Sequence, residues 1–276
     1  MATRLLKSVA VCGFSVLAFS ALANPLLPVV NLTFTQINGD APKASFSAAN
    51  PVGWTGGQGL IAIAAPGTAS DTNSATHPYG DPLFYYGVYG PFPNPPPGGN
   101  FIQADGNPGF QTAFNQVLTG LVVNQTYDLS FWQAAGQQIG FTGATTEQWI
   151  VGLGGTGFNV FHHCGAVDPS DPSTNLSTYS NPGAEIHTTL VMNTPSQGIS
   201  AWNQVTMSFT ATAVSETLSF LAWGNNGSEV NLPPTVFLAG VNTPSQTPEP
   251  GTLALFALAL VGFGASMRRG KSKHTA

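Results

Sequence analysis

The sequence predicts an all-β body built as an antiparallel sandwich, preceded by an export signal and followed by one membrane-spanning helix. Three observations support this fold class. Short segments between residues 24 and 242 alternate apolar and polar residues, no stretch there has helical periodicity, and uncharged apolar runs lie at both ends of the chain. Glycine and proline clusters separate the alternating segments, as is typical of strands joined by turns.

Charges are few and unevenly distributed. Only 7% of the residues are charged, against about 25% in an average globular chain. Residues 24–247 contain eleven acidic residues and one basic residue, Lys43, which gives a net charge of −10 with histidine neutral. Such a body has no basic surface for nucleic acid, which excludes that class of partner. The basic residues at the two ends are therefore expected to serve targeting.

Residues 1–23 have the three parts of a secretory signal peptide. Arg4 and Lys7 charge the start, an apolar run follows, and Ala21-Leu22-Ala23 forms an A-x-A cleavage site. The sequence thus predicts cleavage before Asn24 and export, with an uncleaved anchor as the alternative. Cleavage leaves Cys164 as the single cysteine, so no intrachain disulfide is expected.

The chain ends in three consecutive parts after a polar linker at residues 243–247. Pro248, Glu249 and Pro250 precede an uncharged apolar run at 251–267, and the basic tail 268–276 begins with Arg268 and Arg269. A helix over the apolar run would span about 25 Å, slightly less than a hydrocarbon core of ~30 Å. The basic tail predicts a cytoplasmic C-terminus with the body outside. A buried core helix is the alternative.

The order of these three parts resembles the PEP-CTERM sorting signal, and the resemblance covers residues 248–276. It implies that an exosortase-type membrane peptidase recognises Pro248, Glu249 and Pro250 and removes the tail. The helix would then anchor the protein in the inner membrane only transiently. After processing, the body would reach the cell surface or the extracellular matrix.

Four segments of the body show the clearest alternation. In QTYDLSFWQA, Tyr127, Leu129 and Phe131 face inward while Asp128, Ser130 and Trp132 face outward. NQVTMSFTATA and SETLSFLAWG divide in the same way, and AEIHTTLVMN is interpreted as one strand. In NQVTMSFTATA the inward residues are Val205, Met207 and Phe209. In SETLSFLAWG one face carries Leu218, Phe220 and Ala222, and in AEIHTTLVMN one face carries Ile186, Thr188, Leu190 and Met192.

The early NPVGWTGG, the central LTGLVVNQTYDLSF and the closing PPTVFLAGVN resemble the galactose-binding-like jelly rolls found among carbohydrate-binding modules. The resemblance covers most of residues 29–242. It implies a jelly-roll-type sandwich over residues 24–242 whose last strand lies near its first. These motifs concern packing, so they bear on fold more than on function.

Two long loops are candidates for ligand binding. Residues 77–100 contain Tyr85, Tyr86 and Tyr89, whose rings could stack on sugars; the alternative is that these rings cover the end of the core. Residues 168–183 contain Asp168 and Asp171, which could ligate Ca²⁺ but lack a full ligand set, so no cofactor is expected.

Other motifs favour structural interpretations. Gly152, Gly154 and Gly157 match the dinucleotide fingerprint, but no helix follows them, so a glycine hairpin turn is expected. His162 and Cys164 could converge on a metal, yet no third ligand is evident, and no metal site is predicted.

Two functions remain open. The first is a non-enzymatic envelope or matrix protein that binds polysaccharide, and the alternative is a glycan-acting hydrolase on the same scaffold. No catalytic motif is present, and a hydrolase needs two carboxylates about 5–9.5 Å apart. An aromatic platform without such a pair would favour the first function.

Overall fold

The structure is a computed structural model that describes residues 23–38, 51–56, 60–67, 93–111, 113–161, 176–228 and 232–243. Within these ranges the chain forms strands and short 3-10 turns but no α-helix, which confirms the predicted all-β body. The strands are β1 Thr55–Gly56, β2 Ile61–Ala64, β3 Phe101–Asp105, β4 Ala113–Thr119, β5 Thr126–Gln137, β6 Thr145–Gly154, β7 Asn159–Phe161, β8 Thr178–Ser180, β9 Ala184–Thr188, β10 Met192–Thr194, β11 Asn203–Thr210, β12 Ser215–Gly224 and β13 Pro234–Ala239.

The strands form two principal antiparallel sheets. One sheet has the order β1-β4-β12-β6-β10, with β9 also paired to β6, and the other has the order β11-β5-β13-β3-β2. The chain passes from one sheet to the other at each step from β3 to β6 and again from β10 to β13. Because sequential strands lie in opposite sheets, neighbouring segments of sequence meet across the core.

The core lies between the two sheets and is rich in aromatic rings. Trp54 stacks in parallel on Phe114 with ring centroids 4.6 Å apart, and Phe220 meets Phe131 edge-on at 5.2 Å. The indole N–H of Trp149 donates to the backbone oxygen of Phe237 in the opposite sheet at 3.1 Å. The predicted inward residues of β5, β11 and β12 lie in this core or pack against it, so these three predictions are confirmed.

The prediction of one continuous strand at residues 184–193 was wrong. The segment forms two strands, β9 and β10, that pair with successive parts of β6. Ile186 lies in an apolar cluster on the outer face of that sheet, whereas Met192 lies in the central core. Between them, Thr189 binds Trp149 through both its N–H and its hydroxyl oxygen. This attachment interrupts the alternation and moves Met192 to the other face.

The prediction for the glycine fingerprint was half correct. Gly154, Gly155 and Gly157 have positive φ values of 95°, 62° and 103°, which confirms a glycine turn after β6. The expected hairpin does not form, because β7 pairs with β8 and not with β6. Phe158, Val160 and Tyr179 of this small layer pack on Ile150, Leu221 and Trp223, so the outer face of the six-stranded sheet is also buried here.

The end of the described body lies beside its beginning. Leu27 donates its N–H to Asp128 of β5, Val241 donates to Leu32, and the side-chain amide of Asn242 donates to the backbone oxygen of Leu27 at 2.7 Å. The segment after the last strand and the opening segment of the body are therefore neighbours, whereas the first strand, β1, lies in the other sheet from β13. Across the described ranges no helix is long and apolar enough to cross a membrane, and residues 251–267 lie outside them.

Candidate functional site

Most residues singled out from the sequence lie outside the described ranges, so their predicted roles stay predictions. Ala23 is described and exposed. Among the described residues, no group of three or more His, Cys, Asp or Glu side chains could hold a metal ion. The predicted residues outside the ranges are Ala21, Tyr85, Tyr86, Tyr89, His162, Cys164, Asp168, Asp171, Pro248, Glu249, Pro250, Arg268 and Arg269.

The outer face of the five-stranded sheet carries a cluster of four aromatic side chains, termed here the aromatic face: Phe101, Trp132, Trp202 and Phe237. Trp202 lies just before β11 and meets Phe101 edge-on, with centroids 5.6 Å apart. Phe101 in turn meets Phe237 at 5.8 Å. The two phenylalanines are buried, while Trp132 and Trp202 are only partly covered. The two tryptophans are the partly covered members of the cluster, and the indole N–H of Trp202 donates to the backbone oxygen of Pro93 at 2.7 Å.

A polar strip continues from Trp132 along β5 and β11. Register places Gln204 opposite Trp132, Thr206 opposite Ser130, Ser208 opposite Asp128 and Thr210 opposite Thr126. Successive outward positions on a strand are about 7 Å apart, so the four rows extend over about 20 Å. Asp128 accepts from the hydroxyl of Ser208 at 2.7 Å and from Asn24 at 2.9 Å. The strip combines hydroxyl, amide and carboxylate groups beside an indole ring.

On the other side of the aromatic face, β3 contributes two buried polar side chains. Gln103 is paired in register with Phe237 and Ala62, and neither its amide oxygen nor its amide nitrogen has a hydrogen-bond partner. Asp105 accepts from the N–H of Asn107 at 2.7 Å, and burial raises its pKa to about 7. An orphaned buried amide is costly, so a bound group that both donates and accepts would suit Gln103.

The carboxyl groups of Glu147, Asp105 and Asp128 do not face a common cleft. Glu147 lies on the inner face of β6, where it accepts from the hydroxyl of Thr194 at 2.7 Å, whereas Asp105 lies on the outer face of the opposite sheet. Asp128 and Asp105 share the outer face but lie far apart along it. Asp105 is level with Gly136 of β5, because both pair with Thr235 of β13, and Gly136 is eight residues from Asp128. That spacing is about 26 Å at ~3.3 Å per residue, far beyond the ~9.5 Å limit for paired hydrolase carboxylates.

A small open cavity of about 170 Å³ lies on the other sheet. Trp223 lines it, but this ring is 5% exposed and meets Tyr179 edge-on at 4.9 Å. The cavity therefore offers no open ring face to a ligand. Its other lining residues are Thr146, Glu147, Gln148, Val191 and Asn226.

Alternation correctly placed Trp132 on the outer face, but it gave no sign that Trp202 and Gln103 would lie on the same face. Trp202 directly precedes the alternating segment that begins at Asn203, and this position was the one sequence feature that could have indicated its place on that face. Gln103 lies on β3, between β2 and β13, and only the order of strands in the sheet brings it beside Phe237.

A family model for the PEP-CTERM protein-sorting motif matches residues 246–269. The chain carries a PEP-CTERM sorting motif. The match contains Pro248, Glu249 and Pro250, the whole apolar run, and Arg268 and Arg269. The resemblance drawn from the order of these parts is thereby confirmed.

A search of curated protein sequences finds no match to this chain. Solved structures with a similar arrangement include a family 61 carbohydrate-binding module in complex with β-1,4-galactotriose, with a TM-score of 0.31 and 8% identity over 72% of this chain and 88% of that one. An arabinose-bound family 51 α-L-arabinofuranosidase has a TM-score of 0.36 and 16% identity over 79% of this chain and 26% of that one. A family 16 carbohydrate-binding module has a TM-score of 0.26 and 17% identity over 58% and 84%. At these TM-scores the likeness carries no functional argument.

Proposed function

We propose that this protein is exported, sorted through its PEP-CTERM motif, and binds polysaccharide without acting on it chemically. The signal peptide is cut before Asn24, and a jelly-roll-type body emerges outside the inner membrane. The helix at 251–267 anchors it until an exosortase-type peptidase reads Pro248, Glu249 and Pro250. The processed body then stays in the envelope or the extracellular matrix.

The observation that carries the binding proposal is the pair of partly exposed tryptophans at the start of a polar strip. Sugar rings present C–H faces that pack on indole rings and hydroxyls that exchange hydrogen bonds with amides and carboxylates. Trp132 and Trp202 offer the first kind of contact, and Gln204, Ser130 and Thr206 offer the second. A sugar polymer lying along β5 would meet both.

The positions of the carboxyl groups nearest the aromatic face support binding over hydrolysis there. Asp105, Asp128 and Glu147 lie too far apart or on different faces to act as an acid and a base on one bond. The other two acids of the described ranges, Glu185 and Glu216, accept hydrogen bonds from the backbone N–H groups of Thr210 and Thr212. The remaining acids of the body that lie outside those ranges are Asp40, Asp71, Asp81, Asp168, Asp171 and Glu229. A purified body that releases no reducing ends from the polysaccharides it binds would meet the non-enzymatic expectation, while steady release would favour the hydrolase.

Replacing Trp202 by alanine is expected to weaken polysaccharide binding about two- to tenfold, because the stacking contact of one ring contributes roughly 0.5–1.5 kcal/mol to the binding free energy. Residues 24–243 would be screened against a glycan array, and the hits measured by titration calorimetry. Phe161→Ala is the matched control, since Phe161 is an exposed aromatic residue outside the aromatic face. Equal affinity in both variants would contradict the assignment of this face.

Gln103→Leu separates a binding role from a packing role. Leucine removes the orphaned amide, so the folded body should become as stable or more stable. If Gln103 bonds to sugar hydroxyls, affinity should fall even though stability rises. Urea unfolding and calorimetry on the same preparation measure the two effects. Unchanged affinity would mean that the ligand contacts Trp132 and Trp202 but not Gln103.

Glu249→Ala is expected to block removal of the tail while leaving export and folding intact. Glu249 is the only charged residue between Glu229 and Arg268, so alanine removes the charge a peptidase would read. In the native host, a blot with tags at both ends should show full-length variant in the membrane fraction and shortened wild type. Thr247→Ala is the neighbouring control. Trimming of the variant at the wild-type rate would make the segment an ordinary permanent anchor.

A further inference from the structure

One end of the sandwich carries exposed valines on two turns that are joined to each other. Val122 and Val123 lie between β4 and β5, and Val214 lies between β11 and β12, with 61%, 43% and 65% of their surfaces exposed. Leu121 donates its N–H to the backbone oxygen of Val214 at 3.1 Å. Asn124 donates to Ala211 at 2.8 Å. Because these hydrogen bonds join the two turns, the three valines, termed here the valine end, lie on one surface.

The last strand runs toward this end. Pro234 of β13 pairs with Gln137, and Ala239 pairs with Trp132, so β13 advances toward the start of β5. Beyond β13, Asn242 bonds Ser130 through its N–H at 2.6 Å and its side-chain oxygen at 2.9 Å. From Ser130 to Thr126, where β5 begins beside the valine turns, the distance is about 13 Å.

The length of chain after the body limits how far it can stand from the membrane. Eight residue steps separate Thr243, the last described residue, from Gly251, and they reach at most about 28 Å. This exceeds the ~13 Å from Ser130 to the valine end. The opposite end lies about 23 Å from Ser130 along β5, and the turn at 138–141 lies still further, so the ~28 Å of chain leaves almost no length to reach a bilayer there, against about 15 Å to spare at the valine end. The valine end is therefore the end that the tether presents to the bilayer.

We propose that, before the tail is removed, the valine end rests on the phospholipid bilayer with Val122, Val123 and Val214 in the interface. This inference depends on the proposed anchoring by residues 251–267. The body has one basic residue, Lys43, so attraction to anionic lipid does not contribute. Near this end Asp128 is bonded by Ser208, Glu185 accepts from the N–H of Thr210, and Glu216 is buried and accepts from Thr212. These carboxylates are engaged within the protein and do not attract lipid, so the valines make the contact and salt has little effect on it.

Three valines are too few to hold a free body on a membrane, but a tethered body needs only a weak preference. The short linker makes the contact intramolecular and raises its effective concentration. Resting on this end would set the strands upright on the bilayer. The aromatic face would then point sideways, where a surface polysaccharide can reach it before processing.

The test places a single environment-sensitive fluorophore on the valine end. Residues 24–276 carrying Cys164→Ser and Val122→Cys are labelled and reconstituted in phosphatidylcholine vesicles, with and without lipid that bears a nitroxide near its headgroup. The control label replaces Ile139, which is partly exposed in the turn at the opposite end. The label at 122 should lose roughly half its emission, since interfacial groups lie within ~10 Å of such a quencher. The label at 139 should lose none, and 0.5 M salt should change neither result.

Flotation of the vesicles separates failure of this inference from failure of the anchor. If the protein floats with the vesicles but the label at 122 is not quenched, the anchor stands and the docking is wrong. If the protein does not float, the anchoring proposal fails and the docking fails with it. If the emission at 122 depends on protein density and not on the nitroxide lipid, the valine end meets a second copy, which also overturns the bilayer contact.

Discussion

The wild-type body is expected to be less stable at pH 8 than at pH 5, and Glu147→Gln is expected to remove a large part of that difference. Glu147 is fully buried on the inner face of β6, and burial raises its pKa from 4.5 to about 7. One oxygen accepts from Thr194, and the other has no partner. The interior therefore favours the neutral acid.

The direction of the effect follows from proton binding. Between pH 4.5 and 7 the folded state keeps the proton that the unfolded state has released, so the folded state gains relative stability at low pH. That stability is lost as the pH rises through 7. At ~1.36 kcal/mol per pKa unit, the loss is about 3 kcal/mol for this group.

Urea unfolding of residues 24–243 at pH 5 and pH 8 measures the effect. Glutamine keeps the shape and an acceptor for Thr194 but cannot ionise, so at pH 8 the variant should exceed the wild type by about 3 kcal/mol. Asp105 obeys the same rule, because burial raises its pKa from 3.8 to about 7. The double variant with Asp105→Asn should be nearly flat between the two pH values. A single variant that tracks the wild type at both pH values would show that Glu147 ionises without cost in the folded protein.

Alternation could predict β5, β11 and β12 because each has one face in the central core. In these strands the inward set is apolar over several positions, and a shift by one residue would place that whole set outside. The sorting motif was equally predictable, since its chemistry depends on the order of three adjacent parts and not on packing.

The candidate site could not be predicted in the same way, because it depends on sheet order and on what covers the outer faces. In FIQAD, the pattern places Gln103 and Asp105 away from the core, where solvent would be the ordinary expectation. The outer face is buried at these positions, so an amide lacks partners and a carboxyl has a raised pKa. The prediction of one strand at residues 184–193 failed for a related reason, because the hydrogen bonds between Thr189 and Trp149 join residues that are distant in sequence.

Trp54→Ala is expected to lower the free energy of unfolding by about 3–5 kcal/mol, the usual cost of removing a fully buried large aromatic ring. Trp54 is 1% exposed, stacks on Phe114, meets Phe34 edge-on at 5.5 Å and lies 6.1 Å from Phe220. Its indole N–H also donates to the backbone oxygen of Val30 at 3.0 Å. Alanine would leave a cavity among three rings and remove one of the two donors to the Val30 oxygen, the other being the side-chain amide of Gln116 at 3.2 Å.

Two further variants show whether the loss comes from the ring or from the hydrogen bond. Trp54→Phe keeps a ring on Phe114 but removes the donor to Val30, so an intermediate loss is expected. Val117→Ala is the control, since Val117 is an exposed residue of β4 and its truncation should change stability by less than ~0.5 kcal/mol. Urea unfolding followed by far-ultraviolet circular dichroism gives all three values. A Trp54→Ala loss as small as that of Val117→Ala would mean that the segment at 51–56 does not contribute to the core, and that the first strand is not needed to close the sandwich.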